Sequence, residues 1–308
     1  MNKVVSLVVP VFNEEKNISA LVKAIDDIFV NLQYRYYIIF VDDGSTDDTL
    51  SLIKNLSSSS PSIKYISFSR NFGKDNALKA GLDITDADLA ITIDADLQHP
   101  PELIPRMIEL WEEGTNVVYA YRKERNQHSG IFHQFYSYLF YKLLNYLSGL
   151  NLEQGIADFR LLDKKVVDVI KGISENEIFL RGLIKWFGFK QTGIAYTPTK
   201  RYSGKTTYSK KSLVRLALRG ITSFSTRPLY TAAYLGFVIS CLSILYLPYA
   251  VISYLKGFAI SGWASVIVTI AFFGGLQLMI LGIMGLYLGK IFMQTKHRPL
   301  YIIKELNV

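Results

Sequence analysis

Residues 91–101 read Ile91-Thr92-Ile93-Asp94-Ala95-Asp96-Leu97-Gln98-His99-Pro100-Pro101. The apolar run over 89–93 predicts a buried strand, which the two prolines end. Two carboxylates and an amide follow at every second position, at Asp94, Asp96 and Gln98, so an extended chain places them on one face. Oxygen ligands of this kind suit Mg²⁺ or Mn²⁺. The stretch therefore predicts a divalent-cation site, and the alternative is a solvated acidic turn.

Polar clusters follow other predicted strands as well. Strands are expected over 4–9, 37–41, 63–67 and 116–121, with helical patterns between them. This alternation predicts an α/β domain with a mostly parallel sheet. The clusters begin at Asn13, Asp42, Arg70 and Arg122. Because ligands of such sheets bind beyond the carboxyl ends of the strands, these clusters and Asp94 are expected to form one site.

The sequence lacks the glycine-rich motifs that bind phosphates in many α/β proteins. The first strand is not followed by G-x-G-x-x-G, and G-x-x-x-x-G-K-[ST] does not occur. A cation, and not a glycine-rich loop, is therefore expected to neutralise a substrate's phosphates.

Two long apolar segments lie in the C-terminal third. Neither 229–255 nor 257–289 contains a charged residue, and each exceeds the ~20 residues that span a bilayer. Lysines and arginines flank the pair on both outer sides, which predicts a transmembrane hairpin with both ends in the cytoplasm. The single cysteine, Cys241, excludes a disulfide framework within one chain. The N-terminus shows no signal peptide.

The formal net charge of +8 indicates an anionic partner. Basic residues are concentrated over 206–228 beside leucines, a pattern typical of an interfacial helix on anionic lipid. Nucleic acid is the competing partner, and it is disfavoured because the basic segment adjoins the apolar spans and no nucleic-acid motif is present. The aromatic-rich segment 129–150 indicates either a core helix or a helix at the membrane surface.

Three motifs together resemble glycosyltransferase family 2 enzymes of the GT-A fold, a Rossmann-like α/β fold. They are Val9-Pro-Val-Phe-Asn-Glu-Glu15, Val41-Asp-Asp-Gly-Ser-Thr-Asp47 and Asp94-Ala-Asp-Leu-Gln98. More narrowly, the pattern resembles the polyprenyl-phosphate glycosyltransferases, which include bactoprenol glucosyltransferases and dolichyl-phosphate mannose synthases. The resemblance extends from about residue 4 to residue 299.

The resemblance implies a donor site. The residues that would bind the base, ribose and diphosphate of a nucleoside-diphosphate sugar are Pro10, Asn13, Glu14, Asp42, Asp94, Arg201 and Ser203. Asp43 is expected to hold its loop. The cation ligands would be Asp94, Asp96 and Gln98, with a ribose contact as the alternative for Asp94.

The resemblance also implies an acceptor site. Arg122 and Arg201 would bind the acceptor's phosphate. The similar families carry an aspartate at Asp158, offered as the catalytic base. Because a phosphate monoester is largely ionised at neutral pH, Asp158 is expected to orient the phosphate, with Arg160 fixing either Asp158 or the phosphate. Arg201 and Ser203 match the family's R-x-S-G-x-[ST] stretch.

The implied reaction is an inverting transfer of a hexose to undecaprenyl phosphate at the cytoplasmic face of the inner or plasma membrane. UDP-glucose is the first choice of donor; UDP-linked amino sugars, UDP-galactose and GDP-mannose remain open. The alternatives are a glycan-extending polysaccharide synthase, for which the Q-x-x-R-W motif and further spans are missing, and a non-catalytic membrane scaffold or lipid-binding protein.

The expected organisation has four parts. A catalytic domain over 1–205 is followed by an interfacial helix over 206–228, a two-helix transmembrane hairpin over 229–289 and a cytoplasmic tail over 290–308. This organisation is compatible with a homo-oligomer.

Overall fold

The computed structural model describes residues 3–122, 145–146, 156–197, 221–222, 225–256 and 263–308. Within them, an eight-stranded sheet lies between two layers of helices. The strands are β1 (Val4–Val11), β2 (Arg35–Asp42), β3 (Ile63–Phe68), β4 (Leu89–Thr92), β5 (Val117–Arg122), β6 (Ile156–Asp163), β7 (Gln191–Tyr196) and β8 (Ile303–Asn307). The helices are α1 (Glu15–Phe29), α2 (Thr49–Ser59), α3 (Lys74–Ile84), α4 (Ile104–Glu112), α5 (Lys164–Lys171), α6 (Leu180–Trp186), α7 (Arg227–Leu255) and α8 (Trp263–Thr295).

The strand order is β7-β5-β6-β4-β1-β2-β3-β8. Six of the eight strands run in one direction, as a mostly parallel sheet requires, whereas β6 and β8 run against their neighbours and make the sheet mixed. Because β6 is antiparallel to both β4 and β5, its first residues lie at the edge where β4 and β5 end. This reversal brings the residue pair Asp158 and Arg160 to the sheet edge that carries Asp94.

Apolar side chains fill both faces of the sheet. One core contains the buried sides of α1, α2 and α4, and the other contains those of α3, α5 and α6. The helix α3 lies so close to the sheet that a methyl group added at Gly81 would overlap the side chain of Val8. This close approach fixes the start of α3 relative to the ends of β1 and β4.

The two long C-terminal helices, α7 and α8, correspond to the two apolar segments of the sequence. In the part of the chain that the structure describes, one stretch is long and apolar enough to cross a membrane, Phe272–Thr295 in α8. Its apolar side chains face outward; Leu278 is 71% exposed and Leu288 is 67% exposed. The α8 span is therefore supported, and the two-span hairpin stays a prediction.

The segment after α8 returns to the domain that contains the sheet. At the end of α8, the Gln294 side chain donates to the Ser174 carbonyl over 3.0 Å, and Lys290 forms an ion pair with Glu177 at 3.1 Å. The ring of Tyr301 then stacks on Phe68 with centroids 5.0 Å apart. The segment 290–308, expected as a tail, thus contains the last helical turns and the edge strand β8, which pairs with β3. Most of 129–150 and of 206–228 lies outside the described residues.

Candidate active site

The loops after β1 and β2 are joined by polar contacts to the side chain and backbone of Asn13. Asn13 has a φ of 57°, a left-handed conformation that asparagine tolerates better than most residues. Its Oδ1 accepts from the backbone N–H of Thr46 over 2.8 Å, and its own N–H donates to Ser45 Oγ over 3.0 Å. The neighbouring N–H of Glu14 donates to Thr49 Oγ1 over 2.9 Å. Asn13 and Glu14, which are predicted to bind the sugar donor, are therefore joined by hydrogen bonds to Ser45, Thr46 and Thr49. We call these five residues the rim; Pro10 in β1 lies beside it.

The carboxylates of Asp42 and Asp43 hold the loops next to this rim through hydrogen bonds. Asp42 is 1% exposed, and its carboxylate accepts from the Ser45 N–H over 3.0 Å and from Ser67 Oγ over 2.8 Å. Asp43 accepts from the backbone N–H groups of Phe72 and Gly73 over 2.6 and 2.9 Å, although burial raises the pKa of its carboxyl group. The loop-holding geometry of Asp43 is the one expected for it, and a nucleoside contact of Asp42 stays a prediction.

Lys74, the first residue of α3, connects Asp94 with Asp158. Its ammonium Nζ lies 2.6 and 2.8 Å from the two carboxylate oxygens of Asp94 and 2.8 Å from Oδ2 of Asp158. Burial alone would lower the pKa of Lys74, but Asp158 and Asp94 more than offset it, so that the pKa lies above its ordinary value. The ammonium is therefore charged throughout the physiological pH range and links the ends of β4 and β6.

Asp158 is also held by Arg181 from α6. The guanidinium of Arg181 donates to both carboxylate oxygens, while burial leaves the Asp158 side chain only 10% exposed. Burial alone would raise the pKa of Asp158, yet Arg181 and Lys74 hold it well below its usual range. Arg160, expected beside Asp158, is buried and donates from Nε to the Ala157 carbonyl over 3.3 Å; burial lowers its pKa to about 10.

His99 packs behind Asp94. The residue is 3% exposed, and its ring stacks on that of Phe159 with centroids 5.7 Å apart. Its Nδ1 atom has no hydrogen-bond partner among the described residues and lies 3.9 Å from Oδ2 of Asp94. A buried polar atom without a partner is costly, so Nδ1 of His99 is available for a further contact beside Asp94.

The remaining predicted ligands lie along the same edge. The N–H of Gln98 donates to Oδ1 of Asp96 over 3.1 Å, and Oε1 of Gln98 accepts from Nη2 of Arg122 over 3.1 Å. Nε of Arg122 donates to the Tyr196 hydroxyl over 3.3 Å. Arg122 at the end of β5 thus connects Gln98, in the loop after β4, with Tyr196 at the end of β7.

These residues fit a divalent cation that is bound together with a phosphorylated substrate. In the residues that the structure describes, no group of three or more histidine, cysteine or acidic side chains is placed to hold a metal ion. A cation such as Mg²⁺, however, is commonly held by one or two carboxylates together with water and substrate phosphates. Asp94 and Asp96 supply two such carboxylates at the end of one strand, and the unpartnered Nδ1 of His99 lies behind Asp94.

The structure gathers most of the predicted site residues at one sheet edge. They are Pro10, Asn13, Glu14, Asp42, Asp94, Asp96, Gln98, Arg122, Asp158 and Arg160. The predicted ligands Arg201 and Ser203 lie outside the described residues. The roles assigned to all of these residues stay predictions.

Sequence reasoning missed two cations and a histidine. Lys74 follows the turn after β3, so the rule that ligands bind beyond strand ends could have identified it. His99 lies within residues 91–101, directly after the predicted cation ligand Gln98, so its position in that stretch could have identified it. Arg181 offers no local signal, because it lies on a helix of seven residues far along the chain from Asp158.

The chain is similar to known proteins over most of its length. The profile of the family described as "Glycosyl transferase family 2" matches residues 6–170. The chain is 41% identical over 303 residues to the "Uncharacterized glycosyltransferase YkcC" of Bacillus subtilis, with 97% of this chain and 93% of the relative covered. It is also 41% identical over 302 residues to the "Bactoprenol glucosyl transferase" of Shigella phage SfX, with 98% and 99% covered.

One solved structure that the chain matches is that of glucosyl-3-phosphoglycerate synthase from Mycobacterium tuberculosis, in complex with Mn²⁺, UDP-glucose and phosphoglyceric acid. It is 20% identical with a TM-score of 0.48, and the match covers 72% of this chain and 78% of that chain.

Proposed function

The chain belongs to glycosyl transferase family 2, and on this premise we propose that it transfers glucose from UDP-glucose to undecaprenyl phosphate. The choice of sugar and acceptor is supported by relatives named bactoprenol glucosyl transferase, which match this chain over nearly its full length. We propose further that the reaction is metal-dependent, with Asp94 and Asp96 as cation ligands, and that it inverts the configuration at the anomeric carbon.

The observation that carries the proposal is the connection of Asp94 to Asp158 through Lys74. Asp94 lies on the side of the site that is expected to hold the nucleoside diphosphate, and Asp158 on the side expected to hold the acceptor's phosphate. A single ammonium contacts both carboxylates within 2.8 Å. Groups bound at the two carboxylates therefore lie close enough to react with each other.

The donor side is built for a nucleotide and its diphosphate. Asn13 and Glu14, supported by the buried Asp42, would frame the nucleoside, and Asp94 and Asp96 would hold the cation that binds the diphosphate. A bound Mg²⁺ or Mn²⁺ neutralises the negative charge that develops on the leaving diphosphate. Gln98 completes this side, with its carbonyl oxygen oriented by Arg122.

The acceptor side is built to hold an anion in place. An oxygen of the acceptor's phosphate attacks the anomeric carbon, the bond from that carbon to the diphosphate oxygen breaks, and UDP leaves with the bonding electrons. The phosphate needs little proton removal because its second pKa is near 6. Asp158, an anion with a depressed pKa, orients Lys74 and Arg181 around the phosphate and does not serve as a proton acceptor.

We also propose that the C-terminal helices anchor the protein in a membrane. We propose two spans, with the catalytic domain and both termini in the cytoplasm. The exposed apolar surface of α8 and the contacts of Gln294 and Lys290 with residues 174–177 support this arrangement. The segment that touches the end of α8 leads directly into α6, so the acceptor site lies within a short distance of the span that reaches the lipid.

A direct assay tests the proposal. Purified protein in detergent is incubated with undecaprenyl phosphate, Mn²⁺ or Mg²⁺, and a panel of radiolabelled nucleotide sugars. We expect label from UDP-glucose in the lipid phase, and its loss with EDTA or in Asp96→Ala. The matched control is Asp168→Ala, which removes an exposed carboxylate on α5 and should leave the transfer unchanged.

Other outcomes would change the assignment. Label from a different nucleotide sugar would replace glucose by that sugar. Nucleotide binding without a lipid product would favour the glycan-extending or scaffold functions, and turnover that persists in EDTA would contradict the cation site.

A further inference from the structure

The Lys74 ammonium is surrounded by three carboxylate oxygens. It donates a hydrogen bond to Oδ2 of Asp94 over 2.8 Å, and it forms ion pairs with Oδ1 of Asp94 at 2.6 Å and with Oδ2 of Asp158 at 2.8 Å. An ammonium group has three donors, so these contacts match its full capacity. The Lys74 side chain as a whole is 37% exposed. In this arrangement Lys74 cannot bind a phosphate without giving up one of its carboxylate contacts.

A divalent cation bound to Asp94 would remove the contact between Lys74 and Asp94. The cation and the ammonium would use the same carboxylate oxygens, and two like charges at one carboxylate repel each other. Asp158 does not depend on Lys74 in the same way, since Arg181 holds it through two further hydrogen bonds. Lys74 can therefore leave Asp94 while its contact with Asp158 persists.

A second observation points to movement of Asp94. Nδ1 of the buried His99 has no hydrogen-bond partner among the described residues and lies 3.9 Å from Oδ2 of Asp94. A small rotation of the Asp94 carboxylate would bring that oxygen within hydrogen-bond distance. His99 thus offers Asp94 a partner that can replace Lys74.

We propose that Lys74 is a transferable phosphate ligand: when Asp94 holds a divalent cation, the Lys74 ammonium would leave Asp94 and bind the acceptor's phosphate while it stays on Asp158. The proposal rests on the proposed function for the identity of the acceptor. It assigns Lys74 to substrate binding and implies that the cation binds before the acceptor. His99 acts as a positioning residue that holds Asp94 after the release.

The first experiment measures Mn²⁺ binding without turnover, by the electron paramagnetic resonance signal of free Mn²⁺. In Lys74→Met the carboxylate of Asp94 has lost its competing ammonium, so Mn²⁺ should bind about tenfold more tightly, as expected for one charged hydrogen bond. Lys74→Arg keeps the charge and should bind Mn²⁺ like the wild type. Lys79→Met is the matched control, because Lys79 lies on the same helix and pairs with Asp83, away from the site.

The second experiment separates the two substrates by steady-state kinetics at saturating Mn²⁺. Lys74→Met should raise the KM for undecaprenyl phosphate about tenfold, with a much smaller change in the KM for UDP-glucose. A purely structural role of Lys74 would change both constants together. Lys74→Gln provides a second neutral variant, and thermal unfolding confirms that each variant is folded.

Unchanged or weaker Mn²⁺ binding in both neutral variants would overturn the proposal, as would an unchanged KM for the lipid. A wild-type protein that binds Mn²⁺ and UDP-glucose but forms no glucosylated lipid would overturn the proposed function instead. The Mn²⁺ titration would still decide whether Lys74 competes for Asp94.

Discussion

The guanidinium of Arg181 holds the carboxylate of Asp158 at two points, with Nε 2.5 Å from Oδ1 and Nη2 2.6 Å from Oδ2. This two-point contact comes from α6, a helix that begins with the residue before Arg181. It keeps Asp158 ionised and fixes its orientation at the edge where β4, β5 and β6 meet.

The two-point contact should be necessary for transfer. Arg181→Lys keeps a positive charge but loses the planar fork that matches a carboxylate. We expect turnover to fall at least about tenfold in Arg181→Lys and about a hundredfold in Arg181→Met, because Asp158 is no longer positioned. The measurement is label transfer to the lipid phase. Arg106→Met, at an exposed position on α4, is the control; equal losses in both proteins would contradict the role of Arg181.

The dependence of glucose transfer on pH should not show the ionisation of Asp158. Since the pKa of Asp158 lies well below its usual range, the group is already ionised where activity is measured. The rising limb of activity should instead lie near pH 6, where the acceptor's phosphate loses its second proton. Asp158→Asn should lower turnover about a hundredfold without moving that limb. A limb that disappears in Asp158→Asn would identify Asp158 as the proton acceptor.

Asp75 should make the folded protein less stable as the pH rises. Burial and the nearby Asp158 raise the pKa of Asp75 from 3.8 to about 6. The folded state therefore holds this proton more tightly than the unfolded state, so the free energy of unfolding falls between about pH 4 and pH 6 and stays lower above. Asp75→Asn should remove this loss of about 3 kcal/mol and raise the unfolding temperature by about 6–10 °C at pH 8, with little effect at pH 4.

Thermal unfolding of both proteins in detergent at a series of pH values measures this difference. Asp168→Asn, at an exposed carboxylate on α5, should show no such trend. A gain in Asp75→Asn that is constant across the pH range would contradict titration of Asp75 as its cause.

Gly44 should be far less tolerant of substitution than a second glycine with a similar backbone conformation. Gly44 has a φ of +73°, and a Cβ atom there would lie 2.6 Å from the backbone carbonyl carbon of Arg70. Gly114 has a φ of +88° with nothing within 4 Å of an added Cβ. Gly114→Ala should cost only the strain of its left-handed conformation, about 1 kcal/mol, whereas Gly44→Ala should cost about 3 kcal/mol or more.

Thermal unfolding compares the two alanine variants, and UDP-glucose binding reports on the rim that Gly44 supports. Because the turn at Gly44 lies between Asp42 and the rim residue Ser45, we expect weaker binding in Gly44→Ala alone. Equal stability of the two variants would show that the loop after β3 moves away from the added methyl group.

The part of the fold from β1 to β4 was predictable because its sequence patterns are local. The strands over 4–9, 37–41, 63–67 and 89–93 were each predicted within a few residues of β1 to β4. Their apolar runs are short, and polar residues that suit a site follow each one at the edge where parallel strands end. Asp94, Asp96 and Gln98 could therefore be identified from spacing, and the family resemblance assigned their roles.

The placement of β6 and β8 depended on pairing between strands that are far apart in the chain. The reversed direction of β6 cannot be read from its own residues, since direction is set by the pairing partners β4 and β5. For the same reason the sequence did not show that β8 returns to the edge strand β3.

The sequence by itself determined the family, the α/β domain with its acidic strand end, and the apolar C-terminal segments. It did so because strand periodicity, motif spacing and apolar length are properties of consecutive residues. Only the tertiary structure decided that Lys74 joins Asp94 to Asp158 and that Arg181 holds Asp158 at two points. Those contacts join residues far apart in the chain, and they exist only because β4, β6, α3 and α6 pack at one edge of the sheet.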